Sequence, residues 1–522
     1  MRVGIISVYS DYHRLGRHHR GMIQPQIGAL IAALLPPDAC CEIINDTWTD
    51  PDWTREYDLL FLSSLHSDFD RARQISHYWR RRGAKTVLGG PMATLYPQLC
   101  EPFFDAVVVG DPEPTVPRVC EDFLRNELKR RYVASESSPR PTPTPRFDLI
   151  ASQQVIPQSM EITRGCPFAC RFCSLTGVGT RFNTRDLDDV RRDLRASAKL
   201  VSRSWSPLKR RVAAFYDNNL GGSLPYLREF CSAVKPFNLN WACCVTFNII
   251  CQEELVAAMS RSGCRFVFVG LESFNDDTLA AMAKRQNVVH KVRQAIERCH
   301  RHGILVAAGL MLSPLHDSLE YIETIPQHLV DCGLIMPTYI SFETPFPGTP
   351  HFYDILHGDG AKLLPNALLQ DFNGYTLVTE PRHASVTEFV DAYTRLHRSV
   401  YSFRRACRKI LHDVPPLVRR GFIFSPLASL YESLFDLPPL TADRTFVTGS
   451  EKPYPESQQV PLCDADFDSE SQRAAVMEPW RVSDSHGTIL PMWIAAHQPS
   501  PAAIGMIARR GDHRAASLAT VQ

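Results

Sequence analysis

Three cysteines, Cys166, Cys170 and Cys173, stand in the run Thr163-Arg164-Gly165-Cys166-Pro167-Phe168-Ala169-Cys170-Arg171-Phe172-Cys173, with C-x3-C-x2-C spacing. Three thiolates this close in sequence can hold one soft metal centre. Cysteine thiolates are the usual ligands of iron–sulfur clusters, which ordinarily take four. No fourth cysteine lies nearby, so a cube held here would keep one iron open. An open iron binds a substrate or cofactor, which is the pattern of a reactive cluster rather than an electron store. Two plainer readings stand beside it: a zinc site completed by a distant histidine, and buried thiols. Structural zinc ordinarily shows paired C-x2-C knuckles, and no second pair follows downstream.

The array needs a scaffold, and the flanking pattern supplies one. From about 158 to 350 the chain counts out as six strand–helix units. Strands are predicted at 159–163, 212–217, 241–247, 266–271, 305–312 and 338–343, with helical stretches after most of them. Parallel units in series predict a barrel or part of one, and the cysteines fall in the loop after its first strand. That is the C-terminal face, where barrels keep their chemistry.

The first ~130 residues also alternate short apolar strands with amphipathic helices, which predicts a doubly wound, Rossmann-like parallel sheet. Ligands on such sheets bind at the carboxyl ends of the strands. Two glycine-bearing turns lie there, Gly89-Gly90-Pro91 and Gly110-Asp111-Pro112-Glu113-Pro114. Glycine lets a backbone approach a flat ligand closely, although a glycine turn alone is a weak signal.

These readings divide the chain into an α/β domain over 1–132, a Pro-rich linker over 133–150, a barrel over 151–384, a helical region over 385–450 and a loosely ordered tail over 451–522. Four prolines in 134–146 argue against a regular element there. The tail is polar and lacks sustained periodicity.

Bulk composition narrows the function classes. The 522 residues carry a formal net charge of +1, with 22% charged and 44% hydrophobic residues. No basic excess points to nucleic acid. No apolar run reaches the ~18 residues that span a bilayer, and the N-terminus enters a strand without a signal-peptide shape. Sixteen cysteines in such a chain predict free thiols in a reducing, cytoplasmic setting.

Taken together, the motifs resemble those of the cobalamin-binding radical S-adenosylmethionine (SAM) enzymes. The cysteine loop matches the family's cluster loop. Phe215-Tyr216-Asp217-Asn218-Asn219 resembles its second-strand motif, Gly270-Leu271-Glu272-Ser273 its fourth-strand motif, and Thr344-Pro345-Phe346-Pro347-Gly348-Thr349-Pro350 the motif after the sixth strand. Pro25-Gln26-Ile27-Gly28 and the two glycine turns match its cobalamin domain.

The resemblance implies that Cys166, Cys170 and Cys173 hold a 4Fe-4S cluster and that its open iron chelates SAM. Reductive cleavage then yields a 5′-deoxyadenosyl radical. By the same resemblance Asp217, Asn218 and Glu272 contact the amino group and ribose of SAM, and Phe172 packs near the adenine. The plainer alternatives are rim hydrogen bonds for the first three and packing over the loop for Phe172. Asn218 stands where the family often has an acid. Gly89, Gly90, Pro91, Gly110 and Glu113 are expected at cobalamin. Asp11-x-His13-x-x-Gly16 spells the signature of a cobalt-ligating histidine, here His13, in a basic stretch where a solvated loop is the simpler reading.

The implied activity is methyl transfer to an unactivated carbon, or less often phosphorus, of a small, bulky or lipid-like molecule. An electron donor such as flavodoxin or ferredoxin is expected to serve it. Radical rearrangement or cyclisation with the same cofactors is the alternative, and a non-catalytic cobalamin or redox sensor a third. Trp241, Phe247, Tyr339 and Phe342 could face a bulky substrate, although aromatic residues in strands are more often core.

Overall fold

In the computed structural model, residues 1–10, 25–134, 142–151, 156, 158–179, 181–201, 206–207, 209–357, 361–435 and 459–496 are described. His13 lies outside them.

The first sheet holds β1 (Arg2–Ser7), β2 (Cys40–Asn45), β3 (Leu59–Ser63), β4 (Lys85–Gly89), β5 (Ala106–Val109) and β6 (Arg131–Val133) in the order β2-β1-β3-β4-β5-β6. Every pairing is parallel. Its central strands hold continuous apolar runs, such as Leu59–Leu62 and Ala106–Val109, because helices cover both faces. The chain leaves β1 toward β2 on one side and returns to β3 on the other. The crevice at the carboxyl ends of β1 and β3 is therefore the topological switch point, where doubly wound sheets take their ligands. The edge strand β6 was not expected from sequence, because its three residues are too short to show a period.

The second sheet follows the order β14-β13-β12-β11-β10-β7, again wholly parallel. It comprises β7 (Gln158–Met160), β10 (Val212–Phe215), β11 (Asn240–Cys244), β12 (Cys264–Glu272), β13 (Leu305–Leu312) and β14 (Tyr339–Phe342). Six strands in one open order make the partial barrel that the counted units predicted. A short antiparallel pair, β8 (Thr163–Arg164) and β9 (Asn183–Thr184), brackets the cysteine loop. Alternation along β12 turns Val267 and Val269 into the core, while Phe266, Phe268 and Gly270 stay partly open. Trp241, Phe247 and Phe342 are core residues, at 1%, 0% and 2% exposure. Tyr339 differs: it stacks on Phe268, ring centres 5.6 Å apart, on the partly open side.

After the barrel come the helix Val386–Val400, opened by a Ser385/Glu388 capping box, and the helices Phe403–Arg419 and Phe424–Phe435.

The tail departs from expectation. Residues 459–496 are built onto the first domain, with short helices at Glu470–Met477 and Pro491–Ala495. Fully buried Arg73 pairs with Asp70 and donates to the carbonyls of Ala475 and Glu478. Trp480 packs edge-on against Phe69, and Trp493 against Tyr96. Two isolated tryptophans, one on irregular backbone and one in a five-residue helix, carry this packing, and they leave no periodic trace in the sequence.

Candidate active site between the two domains

The cysteine loop is held from several sides. Its first residues are pinned by Asp217, whose Oδ1 accepts from the Ile162 and Thr163 N–H groups at 2.7 Å each. Its middle is fixed by Arg171, whose N–H donates to the Met282 carbonyl and whose carbonyl accepts from the His351 N–H, both at 3.1 Å. The Arg171 guanidinium pairs with Asp354. A Cβ on Gly177, in the helix after Cys173 (Ser174–Val178), would come within 2.8 Å of the Gly348 carbonyl. The Thr344–Pro350 motif thus braces the loop through a contact only glycine allows.

Side-chain amides reach two of the sulfurs. Asn219 Nδ2 donates to Cys166 Sγ at 3.5 Å and Gln286 Nε2 to Cys170 Sγ at 3.6 Å. Such N–H···S contacts suit thiolates bound to a cluster. Burial pushes the Cys170 thiol up, against the pull of Lys284, and holds Cys173 near about 11. A metal centre here must displace those protons, and it fits a loop already supplied with amide donors.

Glu272 closes β12 with φ +64°, a left-handed conformation rare for a non-glycine residue. A register shift between Gly270 and Glu272 accompanies it. Its carboxylate folds back so closely that a Cβ on Gly270 would stand 2.3 Å from Oε1. Oε1 accepts from Lys284 Nζ at 2.6 Å in a buried ion pair. Burial lowers the ammonium's pKa, but Glu272 and the nearby thiols outweigh it and Lys284 stays charged. Lys284 Nζ also lies 5.6 Å from the Phe172 ring centre. No motif pointed to Lys284; a lone lysine reads as solvated until its carboxylate, twelve residues earlier, is seen to fold onto it.

Asp217 is buried, and burial raises its carboxyl to about 8 against the two N–H bonds that favour ionisation. Its Oδ2 has no partner among the described residues. Asp217 therefore makes the rim hydrogen bonds with one oxygen, and the other is buried without a partner among the described residues.

A cavity of about 480 Å³ opens between the two sheets. On the first domain it is lined by Pro25, Gln26, Ile27, Gly89, Gly90, Pro91 and Gly110, the expected turns. On the barrel it meets Arg164, Tyr216, Asn218 and, from the helix after Cys173, Leu175 and Val178. A Cβ on Gly89 would touch nothing within 4 Å, so at this point of an otherwise largely apolar wall bare backbone faces open space. Gly90 takes φ +97°, and a Cβ there would lie 2.7 Å from the Ser64 carbonyl. That cradle fits a flat, bulky group. Glu113 does not line the cavity. It pairs with Arg164 Nη1 at 3.1 Å. Tyr216, 56% exposed at the mouth, was not singled out from sequence.

Residues 160–326 match the Radical SAM superfamily model. The barrel is a radical SAM domain. Among characterised proteins, the bacteriochlorophyllide d C-8(2)-methyltransferase of Chlorobaculum tepidum is 25% identical over 338 residues, 62% of this chain and 74% of that one. The hopanoid C-2 methylase of Rhodopseudomonas palustris is 24% identical over 64% of each chain. Among solved structures, the radical SAM methyltransferase TsrM of Kitasatospora setae, with cobalamin and a [4Fe-4S] cluster bound, superposes with a TM-score of 0.54 at 14% identity, over 69% of this chain and 80% of its own. That likeness shows a shared fold over 69% of the chain. No helix of the described residues is long and apolar enough to cross a membrane.

Proposed function

We propose that this radical SAM enzyme is a cobalamin-dependent methyltransferase acting on an unactivated carbon of a bulky, apolar, multi-ring molecule. The observation that carries the reading is the shared cavity: glycine turns among apolar side chains on one wall, and the helix leaving the cysteine loop on the other. When bound, the cluster, SAM and cobalamin supply a radical for hydrogen-atom abstraction and a methyl group for the carbon so activated.

In this reading Cys166, Cys170 and Cys173 hold the cluster, and Asn219 and Gln286 donate to its sulfur ligands. Glu272 and Lys284 offer a paired carboxylate and ammonium to the charged end of SAM. Asp217 Oδ2, protonated at neutral pH, offers a further hydrogen bond. Gly89, Gly90, Pro91 and Gly110 bear on the cobalamin face, while Leu175 and Val178 keep water from the space between the cofactors. The substrate class is suggested by the named relatives, which act on a bacteriochlorophyllide and on hopanoids. The partly open Phe266, Phe268 and Tyr339 suit such rings.

A second reading is ring formation with the same cofactors. The anaerobic magnesium-protoporphyrin IX monomethyl ester cyclase of Rubrivivax gelatinosus is 23% identical over 331 residues. Product analysis after anaerobic reconstitution separates the two. Methyl transfer yields S-adenosylhomocysteine together with 5′-deoxyadenosine, whereas 5′-deoxyadenosine alone favours cyclisation.

A further inference from the structure

The hairpin of Phe403–Arg419 and Phe424–Phe435 has two unlike faces. Its inner face buries Ala406, Lys409, Asp413 and Leu417. Lys409 pairs there with Asp413 at 3.1 Å, and Arg405 donates to the Ile335 carbonyl at 3.2 Å. Ser425 Oγ donates to the Gly303 carbonyl and Thr338 Oγ1 to Glu432 at 2.8 Å. These contacts seat the hairpin on the N-terminal ends of β13 and β14, at the opposite end of the barrel from the cysteine loop.

The outer face is apolar and open. Phe403 is 71% exposed, Leu411 73%, Val418 55% and, in the connecting turn, Ile423 65%. At ~100° per residue, positions 403, 407, 411, 414 and 418 fall within an arc of about 80°. Arg404, Arg408 and Arg419 run alongside this stripe, exposed and without an ion pair among the described residues. Residues 403–423 hold six basic residues and one acid, the inward-facing Asp413, in a chain whose net charge is +1.

We propose that this face docks on the surface of an anionic lipid bilayer. An exposed apolar stripe edged by arginine is the pattern of an interfacial helix, with side chains entering the acyl boundary and guanidinium groups meeting the phosphates. A second copy of the chain fits the surface poorly, since a self-complementary contact would bring like-charged arginine rows together. Docking at the barrel base turns the cysteine loop and cavity away from the bilayer. The interaction anchors the enzyme and leaves its mouth free for a soluble electron donor.

Co-sedimentation of the full-length, reconstituted protein with phosphatidylglycerol vesicles tests this, with phosphatidylcholine vesicles as the neutral control. Binding is expected to the anionic vesicles and not to the neutral ones. Replacing Arg404, Arg408 or Arg419 by Gln lowers the partition coefficient about fivefold per residue. Leu411→Ser lowers it about tenfold. Because these side chains are exposed, the melting temperature stays unchanged. With the unaltered protein, anionic vesicles should slow hydrogen–deuterium exchange across 403–423. Absence of binding, equal binding by the variants, or no added protection overturns the proposal. So does a lipid-free dimer, seen by light scattering, that Leu411→Ser dissociates.

Discussion

Arg164 Nη1 lies 2.7 Å from Asp111 Oδ1, which ties the residue two before Cys166 to the Gly110–Pro114 turn of the first domain. The same guanidinium pairs with Glu113 at 3.1 Å and Glu161 at 2.7 Å, and its side chain is 13% exposed. This fork of donors braces the cavity wall against the cysteine loop, beside the Gln26–Ser159 hydrogen bond at 2.6 Å. Arg164→Ala leaves half-buried carboxylates facing one another and should cost about 3 kcal/mol of stability. It should also uncouple the reaction: 5′-deoxyadenosine continues to form while methylated product falls. Arg164→Lys, without the planar fork, should recover stability only in part. Thermal melts and product ratios check both.

At Glu272 the backbone and the side chain make opposite demands. The left-handed φ favours glycine, so Glu272→Gly should be about 1 kcal/mol more stable than Glu272→Ala. Both variants remove the partner of buried Lys284, and both should weaken SAM binding at least tenfold. Denaturant titration gives the first difference and calorimetric binding of SAM the second. Unchanged SAM affinity would remove Glu272 from the site.

The pH response of stability should carry the mark of Asp217. Its carboxyl titrates near about 8 when folded against 3.8 for its ordinary value, because burial disfavours the charge. Between those values the folded state holds a proton that the unfolded chain has lost. The stabilisation is complete below about pH 4 and is lost as pH rises through about 8. Asp217→Asn keeps an oxygen for the Ile162 and Thr163 N–H groups and cannot ionise. It should flatten the decline, a difference on the order of a few kcal/mol by pH 9. Denaturation midpoints from pH 5 to 9 measure it, and parallel curves for the two proteins would refute the assignment.

The tail packing makes a stability claim. Trp493 is fully buried against Tyr96, and its indole N–H donates to the Arg481 carbonyl at 2.8 Å. Trp493→Ala should cost about 3–5 kcal/mol, seen as a lower melting temperature with increased dye binding. A loose tail would give no change.

What was legible in the sequence was whatever has a period or a motif. The alternating runs gave both parallel sheets, and the cysteine spacing gave the loop and its end of the barrel. The glycine turns pointed to the cavity wall, because bare backbone is the property that glycine codes for directly. Lys284, Arg164 and Tyr216 stayed hidden, since their roles come from partners distant in sequence or from exposure at a domain boundary. For Asp217 the motif leaves a ligand contact and a rim hydrogen bond both open, and one of its oxygens makes the rim bonds to the strand that opens the cysteine loop. The tail over 451–522 shows no period, and the order of its 459–496 segment rests on single tryptophans and on Arg73, some 400 residues away.

In the proposed enzyme the cavity at the glycine turns holds cobalamin beside a cluster on Cys166, Cys170 and Cys173. Gly89→Leu tests it most directly, because a Cβ there meets nothing within 4 Å and the side chain is directed into the cavity. After anaerobic reconstitution with iron, sulfide and cobalamin, the unaltered protein should retain stoichiometric cobalamin by absorbance. Gly89→Leu should retain the cluster's iron and lose the cobalamin. Equal cobalamin content in the two proteins would contradict the account.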